Sequence, residues 1–229
     1  MIEQAQSLWS LILIALSLGI KHGFDLDHLA TIDSISRSVK DRPVLSRSTG
    51  LLFSLGHGII VIIVSYLMGS GLIRSHIPDW LEGVGLFISV GCLLLFGVLN
   101  VAALFFSNRS ADIPKGIKSL IAKKLTQRKV SPIFICSIGA LFAFSFDTFS
   151  QVALFSLAAS LTSGSIAATV LGLFFMVGMI LSDGINGLVI GTFIYKADKA
   201  SLIVSQSLGI IIAIFSLSIA LITLIQSVL

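Results

Sequence analysis

The stretch Lys21–Asp33, KHGFDLDHLATID, places six ionisable side chains among thirteen residues, and apolar sequence flanks it on both sides. The chain has 229 residues, of which 55% are hydrophobic and only 11% charged, and its mean hydropathy is strongly positive. A soluble domain of this length does not need so much apolar surface. Apolar runs of about 20 residues or more can each cross about 30 Å of hydrocarbon. The sequence therefore predicts an all-α fold, a polytopic transmembrane helical bundle.

The hydropathy pattern predicts six spans in a single transmembrane domain that covers residues 1–229. The spans are expected at about 8–35, 48–69, 81–106, 132–161, 166–195 and 203–228. Several of them exceed the length that a straight span requires, so we expect tilts or breaks. The N-terminus lacks the positively charged region of a signal peptide, and we expect the first span to be retained.

Lysine and arginine residues are concentrated in alternate loops. Thirteen of the fifteen lie in the first, third and fifth loops, and the basic loop 107–131 alone holds seven. By the positive-inside rule these loops are cytoplasmic and both termini face outward. The pattern predicts a multi-pass protein of the cell membrane, surrounded by lipid. The net charge of +4 follows from this distribution and does not indicate nucleic-acid binding.

Four of the predicted spans carry an imidazole or a carboxylate near mid-depth. A charge at the centre of a span costs about 2.5–3.5 kcal/mol on insertion scales, so we expect these groups to gather around a partner or a wet cavity. Imidazoles with carboxylates and no thiolate suit a divalent transition metal, and a proton relay is the competing use. Lys21, in the first predicted span, is expected either to extend its ammonium to the membrane surface or to pair with Asp25. The candidate metal-ligating residues are His22, Asp25, Asp27, His28, His57, Asp147 and Asp183.

The spacing within the first span creates a geometric conflict. At about 100° per residue, His22, Asp25 and His28 lie within an arc of about 120°, whereas Asp27 points about 140° away from His22. An unbroken helix therefore cannot aim His22, Asp27 and His28 at one point. We predict either a kink near Gly23, or a role for Asp27 in orienting a histidine without binding the metal itself.

The two halves of the chain share a weak internal repeat. GFDLDHLATID aligns with SFDTFSQVALF, which sets Asp25 on Asp147, and LGHGII aligns with LSDGIN, which sets His57 on Asp183. The first span is expected to run inward and the fourth outward. The halves would therefore form an inverted repeat of three plus three spans, and transporters commonly place their binding sites at such an interface.

Four segments occur along the chain in the order KHGFDLDHLATID, FSLGHGIIVI, FSFDTFSQ and GMILSDGING. Together they resemble the motifs of the nickel/cobalt transporter family (NiCoT). The H-x4-D-H spacing of the first is similar to the family's signature. The others resemble its LGHS-type, GFDTATE-type and GM-x-L-x-D-T-x-D-G motifs, with His57, Asp147 and Asp183 in place. The resemblance implies secondary uptake of Ni2+ and/or Co2+ across the cytoplasmic membrane, with the metal ion as transported substrate and no prosthetic group.

The chain also departs from the family pattern. Gly58 stands where the family often has Ser, Gln151 where it often has Glu, and Asn186 where the last motif has its second Asp. These losses of carboxylate bear on metal preference and on proton coupling. Six spans are predicted where typical members have eight, and the length resembles that of short members associated with urease maturation.

Two rival functions stay open from the residues alone. The first is export of the same metals by a similar architecture, although the basic loop holds no histidine to indicate it. The second is an intramembrane enzyme, which we do not expect because HExxH is absent and Ser54 and His57 form no nucleophile elbow. The sequence holds no GxxxxGK[ST] run, so energy is expected from ion gradients, membrane potential or intracellular metal sequestration. Nothing in the sequence indicates an oligomeric state.

Overall fold

The structure, a computed structural model, describes residues 2–72, 91, 94, 130–144, 149–161, 164–195, 214, 217, 218, 221, 222 and 225. Over these residues every continuous element is helical, so the predicted all-α class is confirmed. The elements in chain order are α1 (Ile2–Gly23), α2 (Leu26–Ser38), α3 (Pro43–Arg47), α4 (Thr49–Gly69), α5 (Pro132–Phe142), α6 (Phe149–Ser160) and α7 (Ser165–Tyr195).

Two helices of the described part of the chain are long and apolar enough to cross a membrane, Thr49–Gly69 and Ser165–Ile194. The pair Leu8–Gly23 and Leu26–Ser38, bent by 54°, provides a third candidate span. The predicted spans 48–69 and 166–195 thus agree with α4 and α7 to within one residue at each end. The predicted spans 81–106 and 203–228 and the basic loop 107–131 lie almost wholly outside the described residues.

The first predicted span is broken just after Gly23. The amides of Phe24 and Asp25 donate to the carbonyls of Lys21 and His22 at 3.0 and 2.9 Å, and these three-residue hydrogen bonds tighten the last turn of α1. Asp25 then adopts an extended backbone, with φ −65° and ψ 146°, and precedes α2 as its N-cap residue. The kink predicted near Gly23 is therefore confirmed. Because of it, side chains before and after the break no longer follow one helical periodicity.

The fourth predicted span, 132–161, also consists of two helices. Ser131 starts α5 by accepting a hydrogen bond from the amide of Phe134 at 3.1 Å, and Pro132 occupies the first turn, where its missing N–H is not needed. Beyond α5, the buried Gln151 of α6 donates from Nε2 to the carbonyl of Ala143 at 2.7 Å. This amide ties the start of α6 to the end of α5, with residues 145–148 outside the described part of the chain.

The helix pair α4 and α7 packs antiparallel through the middle of the described structure, with α1 along α7 and α5 along α4. A Cβ atom added at Gly19 would lie 2.0 Å from the carbonyl oxygen of Phe175. A Cβ atom at Gly139 would lie 2.0 Å from the carbonyl oxygen of Phe53. Only glycine lets two helix backbones approach so closely, as is common between helices in membranes.

Two apolar clusters fill the interior. The first joins α1, α4, α6 and α7 and includes Phe175 and Met179, and the second joins α2, α4 and α5 and includes Phe53 and Phe142. All four of these side chains are buried.

Large apolar side chains also cover the outer faces of the long helices. On α7 they recur three or four residues apart at Val177, Leu181, Ile185 and Leu188, each at least 38% exposed. A continuous apolar face of this kind is solvated by lipid rather than by water. The outward faces therefore agree with the span assignment made from length and composition.

Candidate metal centre

Three histidines from separate helices meet beside the break in the first span. His22 lies in the last turn of α1, His28 in the first turn of α2, and His57 in the middle of α4. Each offers a ring nitrogen, and these nitrogens all lie within 4.8 Å of one another. Each residue is at most 1% exposed. The bend after Gly23 makes this convergence possible, because it lets two histidines six positions apart point into one space.

The ring of His22 is held by a carboxylate. Its Nδ1 lies 3.0 Å from Oδ2 of Asp25, three residues further on. A carboxylate oxygen accepts hydrogen bonds, so Nδ1 carries the hydrogen and Nε2 keeps its lone pair for another partner. Asp25 can make this contact because its extended backbone at the break turns its side chain back towards α1.

The ring of His28 is held in the same way by a carboxylate from a distant helix. Its Nδ1 lies 3.1 Å from Oδ2 of the buried Asp183 in α7. The hydroxyl of Ser54 donates to the same oxygen at 2.6 Å. The Nε2 atom of His28 is buried and has no hydrogen-bond partner in the described part of the chain. The pairing thus leaves the outer nitrogen of His28 available to a ligand.

His57 completes the group from α4. Its Nε2 lies 3.3 Å from Nε2 of His22. Two nitrogens bound to one metal at about 2.0–2.1 Å in a tetrahedral arrangement are separated by about 3.3–3.4 Å. The distance therefore fits two ligands of one ion, and imidazole nitrogen suits nickel, copper, zinc and iron ions. No carboxylate contact within the described residues orients the Nδ1 atom of His57.

Phenyl rings pack against the histidines from two directions. The ring of Phe175 lies 5.3 Å from that of His22, and the ring of Phe53 lies 4.9 Å from that of His28. Phe175 belongs to the first apolar cluster and Phe53 to the second. The three imidazoles are thus enclosed between the two clusters, which keeps bulk water away from them.

Asp27 makes no side-chain contact with the three rings within the described residues. Asp27 accepts a hydrogen bond from the amide of His28 at its Oδ1, 2.9 Å away, which stabilises the start of α2. The orienting role considered for Asp27 is taken in the structure by Asp25 and Asp183. Asp147 lies outside the described residues. Lys21 pairs with Asp25 at 3.6 Å, as its spacing of one turn predicts.

Sequence reasoning missed the supporting shell of the site. It considered Ser54 only for its distance from His57 along the chain, whereas the structure joins Ser54 to Asp183 across two helices. It assigned no role to Phe53 or Phe175. No local pattern distinguishes these residues from ordinary core and packing residues, because their role depends on contacts between distant segments.

The described residues form a helical bundle with membrane-length apolar helices and a buried group of three imidazoles, two of them oriented by carboxylates. These are the features of an integral membrane protein with a candidate site for a divalent transition-metal ion. The profile of the NicO family, described as high-affinity nickel-transport protein, matches residues 8–229. The chain belongs to this family, and the resemblance drawn from its four motifs is confirmed.

Curated relatives carry the names of transporters. The chain is 28% identical to the nickel transporter NixA of Staphylococcus aureus, over 77% of this chain and 60% of that protein. It is 31% identical to the high-affinity nickel-transport protein NixA of Helicobacter pylori (strain ATCC 700392 / 26695), over 76% and 60% of the two chains. It is 28% identical to the cobalt transport protein NhlF of Rhodococcus rhodochrous, over 76% and 57%. The chain therefore spans less than two thirds of the length of these relatives. No solved structure matches the chain.

Proposed function

We propose that this protein is a secondary transporter, not an enzyme, that takes up Ni2+ or Co2+ through the cell membrane. The observation that carries the proposal is the convergence of His22, His28 and His57 at the break of a candidate span. Three ring nitrogens within 4.8 Å of one another, enclosed by protein, offer the right ligand chemistry for one such ion, and the 3.3 Å between Nε2 of His22 and Nε2 of His57 fits two of its ligands. The nickel and cobalt transport names of its relatives support the same substrate class.

In this proposal the three histidines bind the metal, and carboxylates fix their rings and balance its charge. Asp25 and Asp183 are suited to this role by their contacts with Nδ1 of His22 and His28. The proposal keeps Asp27 and Asp147 as further carboxylates that balance the charge of the metal. Partners that orient a ligand without touching the metal typically change affinity by about 10–100-fold when they are lost.

We further propose six spans in one domain, with both termini outside and the two halves related as an inverted repeat. Reciprocal close contacts support the repeat. Between α1 and α7, Gly19 lies against the carbonyl of Phe175, and Gly178 lies against the carbonyl of Leu16. Each helix thus contributes one glycine at the point where the two backbones cross.

The same arrangement recurs between α5 and α4. Gly139 lies against the carbonyl of Phe53, and Gly56 lies against the carbonyl of Cys136. Gly139 follows Gly19 by 120 positions, and Gly178 follows Gly56 by 122 positions. Both contacts join the two halves, and exchanging the halves turns the contact between α1 and α7 into the contact between α5 and α4.

This correspondence favours a different register from the one that the motifs suggested for α4 and α7. It aligns GLLFSLG (50–56) with GLFFMVG (172–178), which share four identical residues. His57 then corresponds to Met179, four residues before Asp183. Four residues are about one helical turn, so the two registers keep the same helix face and differ only in depth.

Metal uptake tests the transport proposal. We expect cells that express the parent protein to accumulate more 63Ni2+ than cells without it. We expect His22→Ala to reduce accumulation to background and Asp183→Asn to reduce it by about 10–100-fold at limiting metal. His76→Ala serves as the matched control, because His76 lies outside the predicted spans. Parent-like accumulation by both site variants would show that the site is elsewhere, and lower accumulation in cells with the parent would indicate export.

Side-specific labelling tests the orientation. Single cysteines at Ser163, in the predicted fourth loop, and Lys118, in the basic loop, are introduced into protein whose two native cysteines are replaced by alanine. We expect an impermeant maleimide added to intact cells to label Ser163→Cys and to spare Lys118→Cys. The opposite pattern would invert the proposed topology.

A further inference from the structure

The ammonium of Lys21 lies beside the candidate metal centre, and the proposed function assigns it no role. A lysine inside a membrane span is costly, and neither imidazole coordination nor helix packing requires a cation there. Its Nζ lies 3.6 Å from Oδ1 of Asp25. The other oxygen of Asp25, Oδ2, accepts the hydrogen bond from Nδ1 of His22. The carboxylate of Asp25 therefore contacts both the ammonium of Lys21 and the ring of His22, which we propose as a metal ligand.

We propose that Lys21 is a built-in competitor of the transported metal: it neutralises Asp25 while the site is empty and gives way when the metal binds. This inference rests on the proposed function, since it takes His22 as a ligand of the transported ion. Lys21 acts through Asp25, so it is a positioning residue rather than a ligand.

Exposure along this chain of contacts places Lys21 at an entrance. The side chain of Lys21 is 55% exposed, that of Asp25 is 23% exposed and that of His22 is 1% exposed. An arriving cation would thus meet the Lys21–Asp25 pair before it reaches the enclosed histidines. The flexible four-carbon side chain of lysine lets the ammonium move away from Asp25 while the backbone stays in place.

The charges explain why the two cations exclude each other. A divalent ion on Nε2 of His22 makes the N–H at Nδ1 a stronger donor to Asp25. The same ion repels the ammonium on the opposite side of that carboxylate. Binding therefore strengthens the Asp25–His22 contact and weakens the Asp25–Lys21 contact. In reverse, the return of Lys21 to Asp25 weakens the hold on the metal and assists its release.

The hydroxyl of Ser150 provides a second partner for the displaced ammonium. Nζ of Lys21 donates to Oγ of Ser150 at 3.1 Å. Ser150 lies in the first turn of α6 and is fully buried, so this contact joins the end of α1 to the helix that follows the second break. The ammonium contacts Ser150 and Asp25 at the same time, so it would keep its bond to Ser150 in α6 when the metal weakens its contact with Asp25.

Measurements of binding and transport on the same protein test this role. Parent, Lys21→Met and Lys21→Arg proteins are placed in lipid nanodiscs for Ni2+ titration and in liposomes for Ni2+ uptake. We expect Lys21→Met to bind Ni2+ about two- to fivefold more tightly, the effect of losing one solvent-screened ion pair. We expect its maximal uptake rate to fall at least about threefold, because release is slower. Lys21→Arg keeps the charge and should resemble the parent in both.

Two controls separate this role from a merely structural one. Lys40→Met makes the same change at an exposed lysine beyond α2 and should leave affinity and rate unchanged. Asp25→Asn removes the carboxylate through which Lys21 acts, so adding Lys21→Met to it should change affinity less than about twofold. Damage to the fold would weaken binding, whereas the proposal requires tighter binding.

Equal or weaker Ni2+ binding by folded Lys21→Met would overturn the proposal, as would a Lys21→Arg protein that behaves like Lys21→Met. If Lys21→Met does not fold, Lys21→Gln is measured in its place with the same expectation. The affinity comparison does not depend on transport. A parent protein that binds Ni2+ but does not transport it would refute the proposed function and leave the competition of Lys21 to be judged by affinity alone.

Discussion

The two broken spans of this protein share their packing and differ in their chemistry. In the first, the ring of His22 lies 5.3 Å from Phe175, and in the second, the ring of Phe142 lies 5.4 Å from Phe53. Phe142 follows His22 by 120 positions, the same displacement that relates Gly139 to Gly19. One half thus carries an imidazole where the other carries a phenyl ring of similar size. The comparison teaches that a core aromatic position can become a ligand position without a change in the surrounding packing.

The interactions that connect the two helices at each break also differ in chemistry. At the first break, Asp25 contacts both Lys21 and His22, so charged groups join the helices. At the second, Gln151 donates to the carbonyl of Ala143, so a neutral amide does so. A bend in a span exposes backbone groups that need partners. Either solution meets that need, but only the charged one prepares a site for a cation.

The largest effect is expected where both halves depend on the same packing. Gly19→Val and Gly139→Val each force a side chain into a carbonyl oxygen that would lie 2.0 Å from Cβ. We expect each to cost about 3 kcal/mol or more of stability and to lower the yield of monodisperse protein in detergent. Gly184→Ala is the control, because a Cβ there meets no atom of the described residues within 4 Å. A well-tolerated valine at position 19 would contradict the close crossing of α1 and α7, and one at position 139 the close crossing of α5 and α4.

The next prediction separates the contribution of His22 to Ni2+ binding from its contribution to helix packing. We expect His22→Phe, which copies the second half, to keep the melting temperature close to that of the parent and to weaken Ni2+ binding at least about 100-fold. The reciprocal Phe142→His should gain no affinity, because its half offers Met179 where the first offers His57. Thermal unfolding and Ni2+ titration of both proteins check this pair. Retained binding by His22→Phe would remove His22 from the ligand set.

The smallest effect is expected from the hydrogen bond that Ser54 donates to Asp183. Ser54 donates to Asp183, and its counterpart by the same displacement of 122 is Met176, which offers no hydroxyl. We expect Ser54→Ala to weaken Ni2+ binding about threefold by loosening Asp183 and hence His28. Ser137→Ala is the matched control, since that exposed hydroxyl bonds within its own helix to the carbonyl of Ile133 and to no other group of the described residues. Equal affinities in parent and Ser54→Ala would show that Asp183 needs no such support.

Local features of the sequence were enough to predict much of the fold. The limits of α4 and α7 agree with the predicted spans because hydropathy over about 20 residues is a property of adjacent residues. The break after Gly23 was one of two alternatives that the helical periodicity left open, the other being an orienting role for Asp27, and the structure selects the break. The pairing of Lys21 with Asp25 followed from a spacing of one turn.

The sequence also indicated which residues form the site, but it did not indicate all the hydrogen bonds that they make with one another. The residues that meet beside the break are among those predicted, and the pairing of His22 with Asp25 is local. The partner of His28 lies 155 positions away, and the contact of Ser54 with that same Asp183 spans 129 positions. Only the packing of α2 and α4 against α7 selects Asp183 for His28.

The sequence by itself determined that this chain enters a membrane, where its long helices lie along the chain, and which costly polar groups accompany them. These properties depend on transfer free energies and periodicities that act within one segment. Only the tertiary structure shows which groups from distant segments face one another and which ring nitrogens are left open. These properties depend on backbone approach at a few glycines, because a shift of one helical turn between packed helices would separate His28 from Asp183 and His22 from His57.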